Sequence, residues 1–482
     1  MRSRRSSAFR RRAAVASLLL MLAAASSVAV SSLLGQRVTP LKISLLTVGL
    51  VAILQLMVIP RLVTRDWFHP LVFPIIYITV ALFAPVCYIL LSGKSIPTIT
   101  PAELTSTVAE ALALTVLGVS AGSLASLAIV RFHPFSPTQP SRAGPPPTAA
   151  SPPFSYATLR SLGRFILTLS VVLRVFWLAT VYGRPYGAGS VATATTAGLS
   201  GLVDSISVTA FFVGVILVVL ANVEIRGVLG RRQEFLLAAA FTILTLLGGK
   251  RGVLIAPFLF VLWAYHTYIR QLRTWLLVIT LVTVLLVFQG VAATRAGGAF
   301  FSGTSSATQQ TLSSISSPLF TTIQVVAEVP TGHAYYDGAT YLAALYRQLP
   351  SPLADSLFGP PNDTGAYVFR QLIGFQSPNA GYDFSIPAEG YLNFGLAGDL
   401  AAGLVIGILL GAAYRTRRSA PTRARHIFYP LLLCTLPLAL RSDALGTIKS
   451  VLYPMLILAA VFAVARARPP SAHQRTRQPL YS

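Results

Sequence analysis

Apolar runs long enough to cross a lipid bilayer recur along the whole chain. A helix that spans the hydrocarbon core needs about 20 apolar residues. The predicted spans are 13–34, 43–59, 70–91, 105–130, 163–182, 203–222, 234–249, 252–268, 275–293, 389–413, 427–445 and 448–465. Because lipid offers no partners to backbone N–H and C=O groups, such segments must be helical. The sequence therefore predicts an all-α polytopic membrane protein with about twelve transmembrane helices.

The composition excludes an ordinary soluble enzyme. The chain is 54% hydrophobic and only 11% charged, whereas soluble domains are about one quarter charged. A formal net charge of +24 is also typical of nucleic-acid binding. The basic residues, however, cluster between the apolar runs. This is the pattern of multi-pass membrane proteins, in which such clusters set the orientation in the membrane. We therefore predict no nucleic-acid partner.

The basic clusters also predict the orientation of the chain. Twelve spans place both termini on one side, and the seven segments on that side hold 26 of the 38 Lys and Arg residues. Basic residues near span ends are retained in the cytoplasm, so both termini are predicted to be cytoplasmic. A second interpretation of the region 234–268 is one span or a re-entrant hairpin. It would change the parity of the number of spans and with it the predicted orientation.

The predicted organisation follows from these spans. It comprises spans 1–4 in 1–131, a Pro-rich cytoplasmic linker in 132–160, spans 5–9 in 161–293, a large extracytoplasmic loop in 294–388, spans 10–12 in 389–465 and a basic cytoplasmic tail in 466–482. A loop as long as 294–388 is usually functional or disordered. Its many aromatic residues argue against disorder.

Several ionisable residues lie inside or at the ends of predicted spans, where a charge is expensive and is by default a functional candidate. They are Glu103, Glu110, Asp204, Arg441, Asp443 and Lys449 toward the outer side, and Arg174 and Asp399 near the middle. The alternative for each is a structural ion pair, such as Arg174 with Asp204 or Arg441 with Asp443.

The turn Gly248-Gly249-Lys250-Arg251-Gly252 joins two apolar runs at the predicted outer face. Glycines leave room for a ligand, and Arg meets phosphate oxygens in a bidentate fork while Lys acts as a point charge. The turn therefore predicts a phosphate site. The alternative is a tight turn whose cations contact lipid head groups.

The long loop and its exit supply further candidates. Cations for an anionic group are Arg295, Arg347, Arg370 and, beyond the loop, Arg441; candidate general bases are Glu389, Asp383, Glu328 and His333. His333 is the only histidine on the predicted outer side, and histidine titrates near neutral pH. The two cysteines, Cys87 and Cys434, lie in apolar runs, and no spacing of His, Cys, Asp and Glu resembles a metal site. No metal and no cofactor are predicted.

The exit of the long loop has the sequence Pro387-Ala388-Glu389-Gly390-Tyr391-Leu392-Asn393-Phe394-Gly395-Leu396-Ala397-Gly398. With this stretch as the most specific element, the chain resembles the O-antigen (Wzy-type) oligosaccharide repeat-unit polymerases. The Gly-(small or basic)-Arg-Gly turn, the large outer loop before the last three spans and Tyr346-Arg347-Gln348-Leu349-Pro350 also match the family pattern. The motifs cover roughly 235–415.

This resemblance implies a GT-C-like fold and a polymerase acting at the outer face of the cytoplasmic membrane. A growing glycan would pass from its polyprenyl-pyrophosphate carrier onto a hydroxyl of a lipid-linked repeat unit, releasing polyprenyl pyrophosphate. Arg251 matches the arginine of the turn and Glu389 the glutamate of the loop exit, while Arg370 and Gly381 match an Arg-x10-Gly pattern. Lys250 stands where the turn often carries Ser.

The implied partners are polyprenyl-pyrophosphate-linked oligosaccharides and membrane lipids, together with a chain-length regulator and a flippase. The predicted pyrophosphate donors are Lys250, Arg251, Arg295, Arg347, Arg370 and Arg441, and the predicted catalytic residues are Glu389, Asp383 and His333. Such cations stabilise the charge of the departing pyrophosphate. A general base must reach the acceptor hydroxyl.

Three other functions stay open. An O-antigen ligase-like enzyme shares the topology and donor and differs in its acceptor. A polyprenyl-phosphate-sugar-dependent glycosyltransferase is disfavoured because its long acidic first outer loop is replaced by the short segment 35–40, which holds no acid. A lipid-linked glycan flippase needs polar groups along a path between both faces, whereas the candidates here crowd toward the predicted outer face.

Overall fold

The computed structural model describes most of the chain from the fourth predicted span onward. The described residues are 68–70, 106–129, 155–181, 199–248, 252–273, parts of 276–290, 305–349, 351–359, 363–373, 384–419, 427–439 and 441–467. The predicted spans 13–34 and 43–59, and nearly all of 70–91, lie outside them. The number twelve therefore stays a prediction.

Within these residues every regular element is a helix. The helices are α1 (Ser106–Ile129), α2 (Tyr156–Val181), α3 (Leu199–Arg226), α4 (Arg232–Leu247), α5 (Ile255–Ala264), α6 (Ser305–Glu328), α7 (Ala339–Tyr346), α8 (Ser351–Phe358), α9 (Gly365–Leu372), α10 (Ile386–Ser419), α11 (Phe428–Ala439) and α12 (Ala444–Ala467). A 3₁₀ turn, Gly252–Leu254, precedes α5, and a π-helical turn, Tyr265–Ile269, follows it.

Five of the described helical segments are long and apolar enough to cross a membrane. They are Tyr156–Ala179, Gly201–Arg226, Gly252–Ile269, Ile386–Thr416 and Ala444–Ala465. A shorter apolar segment, Phe428–Leu438, accompanies them. The protein is thus an all-helical, multi-pass membrane protein, which confirms the fold class at this level.

The predicted long loop 294–388 is largely helical where the structure describes it. It contains α6, α7, α8 and α9. Residues such as Leu319, Val325 and Phe369 are buried there, so the segment has apolar side chains enough to pack. These described residues of the segment therefore form packed helices.

The chain divides into two compact units. The first comprises Met1–Phe135 with Thr283–Lys449, and the second comprises Ser136–Val282 with Ser450–Ser482. In the first unit the most extensive helix contact is between α1 and α10. In the second it is between α2 and α3.

Glycines spaced four residues apart let α1 and α10 approach each other at backbone distance. A Cβ atom on Gly407 would overlap the carbonyl oxygen of Gly122, and one on Gly403 would overlap that of Gly118. Membrane helices associate through such small residues because lipid removes the hydrophobic driving force between them. This contact anchors α10, which carries the candidate site described below.

In the second unit the middle of α3 is enclosed on every side, since all residues from Ala210 to Val223 are buried. Gly163 on α2 and Gly214 on α3 each face a leucine of the other helix. Beside this contact Arg174 of α2 forms an ion pair with Asp204 of α3. The predicted pairing of these two charges is therefore present in the structure.

We expect Gly407→Leu to destabilise the first unit, because the new side chain would displace the backbone of α1. Overpacking alone costs about 1–3 kcal/mol, and a collision with backbone lies at or above that range. The measurement is the unfolding temperature of the purified protein in detergent, followed by intrinsic fluorescence. Ala412→Leu adds similar bulk at an exposed position of the same helix and should change little. Equal effects of the two variants would contradict this packing.

Candidate functional site

The loop-exit motif forms a sharp break in α10. Phe394 (φ −140°, ψ 19°) and Gly395 (φ 59°, ψ −145°) leave the helical conformation. The positive φ of Gly395 is a conformation that glycine adopts at little cost. Residues 390 and 398 then meet, because a Cβ atom on Gly390 would lie 2.6 Å from the carbonyl oxygen of Gly398. The chain therefore folds back on itself at this motif.

Glu389 lies at the start of α10 and is fully buried. Its Oε1 accepts a hydrogen bond of 2.7 Å from the hydroxyl of Thr340 on α7. Its Oε2 accepts one of 2.5 Å from the backbone N–H of Ala444, the first residue of α12. Gly365 at the start of α9 leaves space for the carboxylate, since a Cβ atom there would lie 2.7 Å from Oε1.

Asn393 lies one turn after Glu389, at the end of the part of α10 that precedes the break. Its side chain connects this part of α10 to α7 and to the residue before α7. Its Nδ2 donates to the hydroxyl of Thr340 and to the carbonyl of Glu389, both at 2.8 Å. Its Oδ1 accepts from the backbone N–H of Gly338 at 3.0 Å. All polar atoms of this buried amide thus have partners, as a buried polar group requires.

A second carboxylate lies at the N-terminus of α12. Asp443 directly precedes the helix, and its Oδ1 accepts from the N–H of Gly446 at 2.9 Å, which is an N-cap contact. Its Oδ2 accepts from the N–H of Ala366 on α9 at 3.3 Å. Glu389 and Asp443 therefore share the positive end of the α12 dipole.

Two further polar groups border this arrangement. Asp399 of α10 is buried, and its carboxylate lies against the backbone of Gly118 with no side-chain donor among the described residues. The hydroxyl of Tyr341 is buried and has no hydrogen-bond partner in the described part of the chain. Burial raises the pKa of Tyr341, and the negative charges of Glu389 and Asp399 raise it further. This phenol therefore stays protonated at neutral pH.

Glu389, Thr340, Asn393, Asp443 and the first N–H of α12 form what we call the Glu389 network. It joins α7, α9, α10 and α12 through neutral donors around a buried carboxylate. Such an arrangement can hold a hydroxyl group against a proton acceptor.

Comparison with known protein families bears directly on this network. The family model "O-antigen polysaccharide polymerase Wzy" matches residues 161–468. The chain belongs to this family. The match confirms the family resemblance of the sequence and includes Thr340, Asn393, Glu389 and Asp443. Neither the curated proteins nor the solved structures contain a significant match.

Membership of the Wzy family makes the protein an O-antigen polysaccharide polymerase, an enzyme of the glycosyltransferase type. Wzy polymerases act on lipid-linked oligosaccharide repeat units in the membrane. The multi-pass architecture and the apolar helices agree with such a substrate.

Arg347, a predicted pyrophosphate ligand, is buried within the predicted long loop 294–388, where its side chain is hydrogen-bonded. Its Nε donates to Asp363 at 2.8 Å and its Nη2 to the carbonyl of Gly359 at 3.1 Å. The guanidinium therefore joins the end of α7 to the segment before α9. It stabilises the loop in this structure.

The other predicted cations take different positions. Arg370 lies in the last turn of α9 and is half-buried. Arg441 is half-buried in the turn before α12, two residues before Asp443. Arg441 thus precedes the helix terminus that holds the Glu389 network. Lys250, Arg251 and Arg295 lie outside the described residues.

Of the predicted proton acceptors that the structure describes, only Glu389 belongs to the network. His333 is exposed in the turn after α6, where its backbone N–H donates to the carbonyl of Glu328. Within the described residues no hydrogen bond or ion pair joins its ring to Glu389. Asp383 lies outside the described residues.

Sequence reasoning missed Thr340 and did not assign a role to Asn393. Asn393 was detectable, because it is the only amide inside the loop-exit motif and sits four residues after Glu389. Thr340 gave no signal, since one threonine in a short helix carries no pattern. Its importance follows from a contact across 49 residues.

We expect Asn393→Leu to destabilise the Wzy fold by removing bonds to Thr340, Gly338 and the Glu389 carbonyl. Each buried polar group left without a partner costs about 1–3 kcal/mol. The unfolding temperature in detergent is the measurement. Gln371→Leu removes an exposed amide on α9 and serves as the control. An unchanged unfolding temperature for Asn393→Leu would contradict the structural role of this amide.

Proposed function

We propose that this polymerase transfers a growing polyprenyl-pyrophosphate-linked glycan onto a lipid-linked oligosaccharide repeat unit at the outer face of the cytoplasmic membrane. The acceptor hydroxyl attacks the anomeric carbon of the donor and loses its proton. The bond between that carbon and the pyrophosphate oxygen breaks, and the electron pair leaves with polyprenyl pyrophosphate. The Glu389 network inside the family-matched region is the observation that carries this proposal.

The acceptor half of the reaction rests on Glu389. The hydroxyl of Thr340 lies 2.7 Å from its Oε1, within the range of about 2.6–3.2 Å that a general base needs. A hydroxyl group is thus accommodated at this oxygen in proton-transfer geometry. We propose that the acceptor hydroxyl replaces that of Thr340 here and that Glu389 takes its proton. Asp383 and His333 stay secondary candidates for this role.

The donor half rests on cations and on helix dipoles. Pyrophosphate departure builds negative charge that preorganised donors stabilise. Arg441 stands in the turn before the N-terminus of α12, and helix N-termini favour phosphate groups. We propose Arg441, Arg370, Lys250, Arg251 and Arg295 as the pyrophosphate ligands. Arg347 acts mainly by fixing the loop through Asp363.

The wider architecture is part of the proposal. We propose twelve spans, a GT-C-like arrangement and cytoplasmic termini. The ion pair between Arg160 of α2 and Glu234 of α4 supports the topology, because it joins two span ends that the charge pattern assigns to the same side. A flippase and a chain-length regulator are the proposed protein partners.

We expect Glu389→Gln to lower polymer formation by about 10²–10⁴-fold, the usual contribution of a general base. The glutamine oxygen can accept from the Ala444 N–H while its NH2 group donates to the Thr340 hydroxyl, so the protein should fold and insert. The measurement is turnover of purified lipid-linked repeat units in detergent, together with the unfolding temperature. A folded Glu389→Gln protein with wild-type turnover would overturn the base assignment.

A matched pair at Thr340 separates catalysis from packing. Thr340→Ser keeps the hydroxyl, whereas Thr340→Val replaces it with a methyl group of similar volume. If Thr340 only occupies the acceptor position, both variants should keep turnover within about tenfold while Glu389→Gln does not. A loss as large as that of Glu389→Gln in the valine variant alone would instead make Thr340 part of the proton path.

We expect Arg251→Ala to accumulate single lipid-linked repeats on the outer leaflet while polymer is lost, since a pyrophosphate ligand is removed. The lipid-linked glycan profile of cells is the measurement, with expression and insertion checked. Arg273→Ala removes the same charge from an exposed position on the predicted cytoplasmic side and should leave the profile unchanged. Repeats trapped on the inner leaflet would indicate transport instead, and an unchanged Arg251→Ala profile would contradict the role of the turn.

A further inference from the structure

The second unit contains a buried charge cluster that has no part in the proposed reaction. Glu234, in the first turn of α4, is 3% exposed. Its Oε1 accepts from Nε of Arg160 at 2.8 Å and from Nε of Arg164 at 2.7 Å. Its Oε2 accepts from Asn222 at 2.9 Å and from the backbone N–H of Arg231 at 2.5 Å. We call these five residues the Glu234 cluster.

The cluster holds more positive charge than its one carboxylate neutralises. It contains three guanidinium groups, and Arg160 is buried with an exposure of only 8%. Nη2 of Arg160, Nη2 of Arg164 and Nε of Arg231 are buried and have no hydrogen-bond partner in the described part of the chain. The surrounding segments 155–165 and 222–235 carry five arginines and two glutamates, so the excess is not cancelled locally.

This excess calls for an anion with several acceptor oxygens. A buried cation without a counter-charge is costly, because desolvation is not repaid. Guanidinium groups match phosphate oxygens in pairs and are the residues most often used for phosphate recognition. Both arginines on α2 bond Glu234 through Nε, so the carboxylate orients them, and the Nη2 atom of each is left without a hydrogen-bond partner in the described part of the chain.

The borders of the cluster are apolar and exposed. Phe165 follows Arg164 directly and is 65% exposed, and Phe235 follows Glu234 and is 55% exposed. Leu236, Ile225 and Val228 are exposed as well. In a membrane protein such side chains face acyl chains. An anion bound here would therefore carry its phosphate on the arginines and its chains along these residues.

We propose that the Glu234 cluster binds the phosphate group of an anionic membrane lipid. The charge pattern predicts that 131–164 and 226–232 lie on the cytoplasmic side, which assigns the lipid to the inner leaflet. The site is separate from the Glu389 network, which belongs to the first unit. It does not depend on the polymerase reaction.

The test measures binding of phosphatidylglycerol and phosphatidylcholine to the purified full-length protein by native mass spectrometry. We expect phosphatidylglycerol to remain bound and phosphatidylcholine to dissociate. Arg231→Gln removes a guanidinium that does not bond Glu234 and should weaken phosphatidylglycerol binding about tenfold, as expected for a charge-assisted contact. Arg232→Gln removes the same charge from the exposed neighbouring residue and should change binding by less than about twofold.

Two further arms decide the outcome. Arg164→Gln leaves the Arg160–Glu234 pair in place and serves as a second test should Arg231→Gln not fold. It is also expected to weaken phosphatidylglycerol binding. Inorganic phosphate in millimolar excess should not displace the lipid. Displacement by inorganic phosphate would make this a site for free phosphate and overturn the lipid assignment. Equal binding by Arg164→Gln, Arg231→Gln, Arg232→Gln and wild type would overturn the site itself.

Discussion

One buried carboxylate determines how the candidate site is assembled. Glu389 binds the hydroxyl of Thr340 and the first backbone N–H of α12 at the same time. A buried ionisable group without partners costs several kcal/mol, so these elements are favoured only when they lie together. The position of the long loop relative to α10 and α12 thus depends on this side chain.

The break in α10 follows from the same constraint. Ending a helix inside an apolar environment exposes carbonyl groups that lipid cannot satisfy. Here the carbonyls of Leu392 and Asn393 accept from the N–H groups of Tyr336 and Asp337, both at 3.2 Å. The loop therefore completes the backbone of the interrupted helix. Non-helical backbone is tolerated at this place because the N–H groups of Tyr336 and Asp337 supply the missing donors.

Glu234 and Glu389, the two glutamates that are buried in the described part of the chain, have different hydrogen-bond donors around them. Glu234 accepts from the guanidinium groups of Arg160 and Arg164 and orients them. Glu389 meets a hydroxyl, a backbone amide and the dipole of α12. A carboxylate held by neutral donors can accept a proton without leaving a cation unpaired. This difference is why chemistry is assigned to Glu389 and anion binding to the cluster around Glu234.

Long apolar runs were sufficient to predict the helical membrane fold. Lipid offers no partners to backbone N–H and C=O groups, and a helix satisfies these groups within the segment itself. Run 105–130 coincides with α1, and the loop-exit motif predicted the family that the comparison confirms. Composition could not reveal that run 427–445 is divided, with α11 ending at Ala439 and Asp443 capping α12. The contact of Thr340 with Glu389, the meeting of Gly407 with Gly122 and the convergence of Arg160 and Arg164 on Glu234 join residues far apart in the chain. Such contacts depend on how the helices pack against one another, and no local sequence pattern predicts this packing.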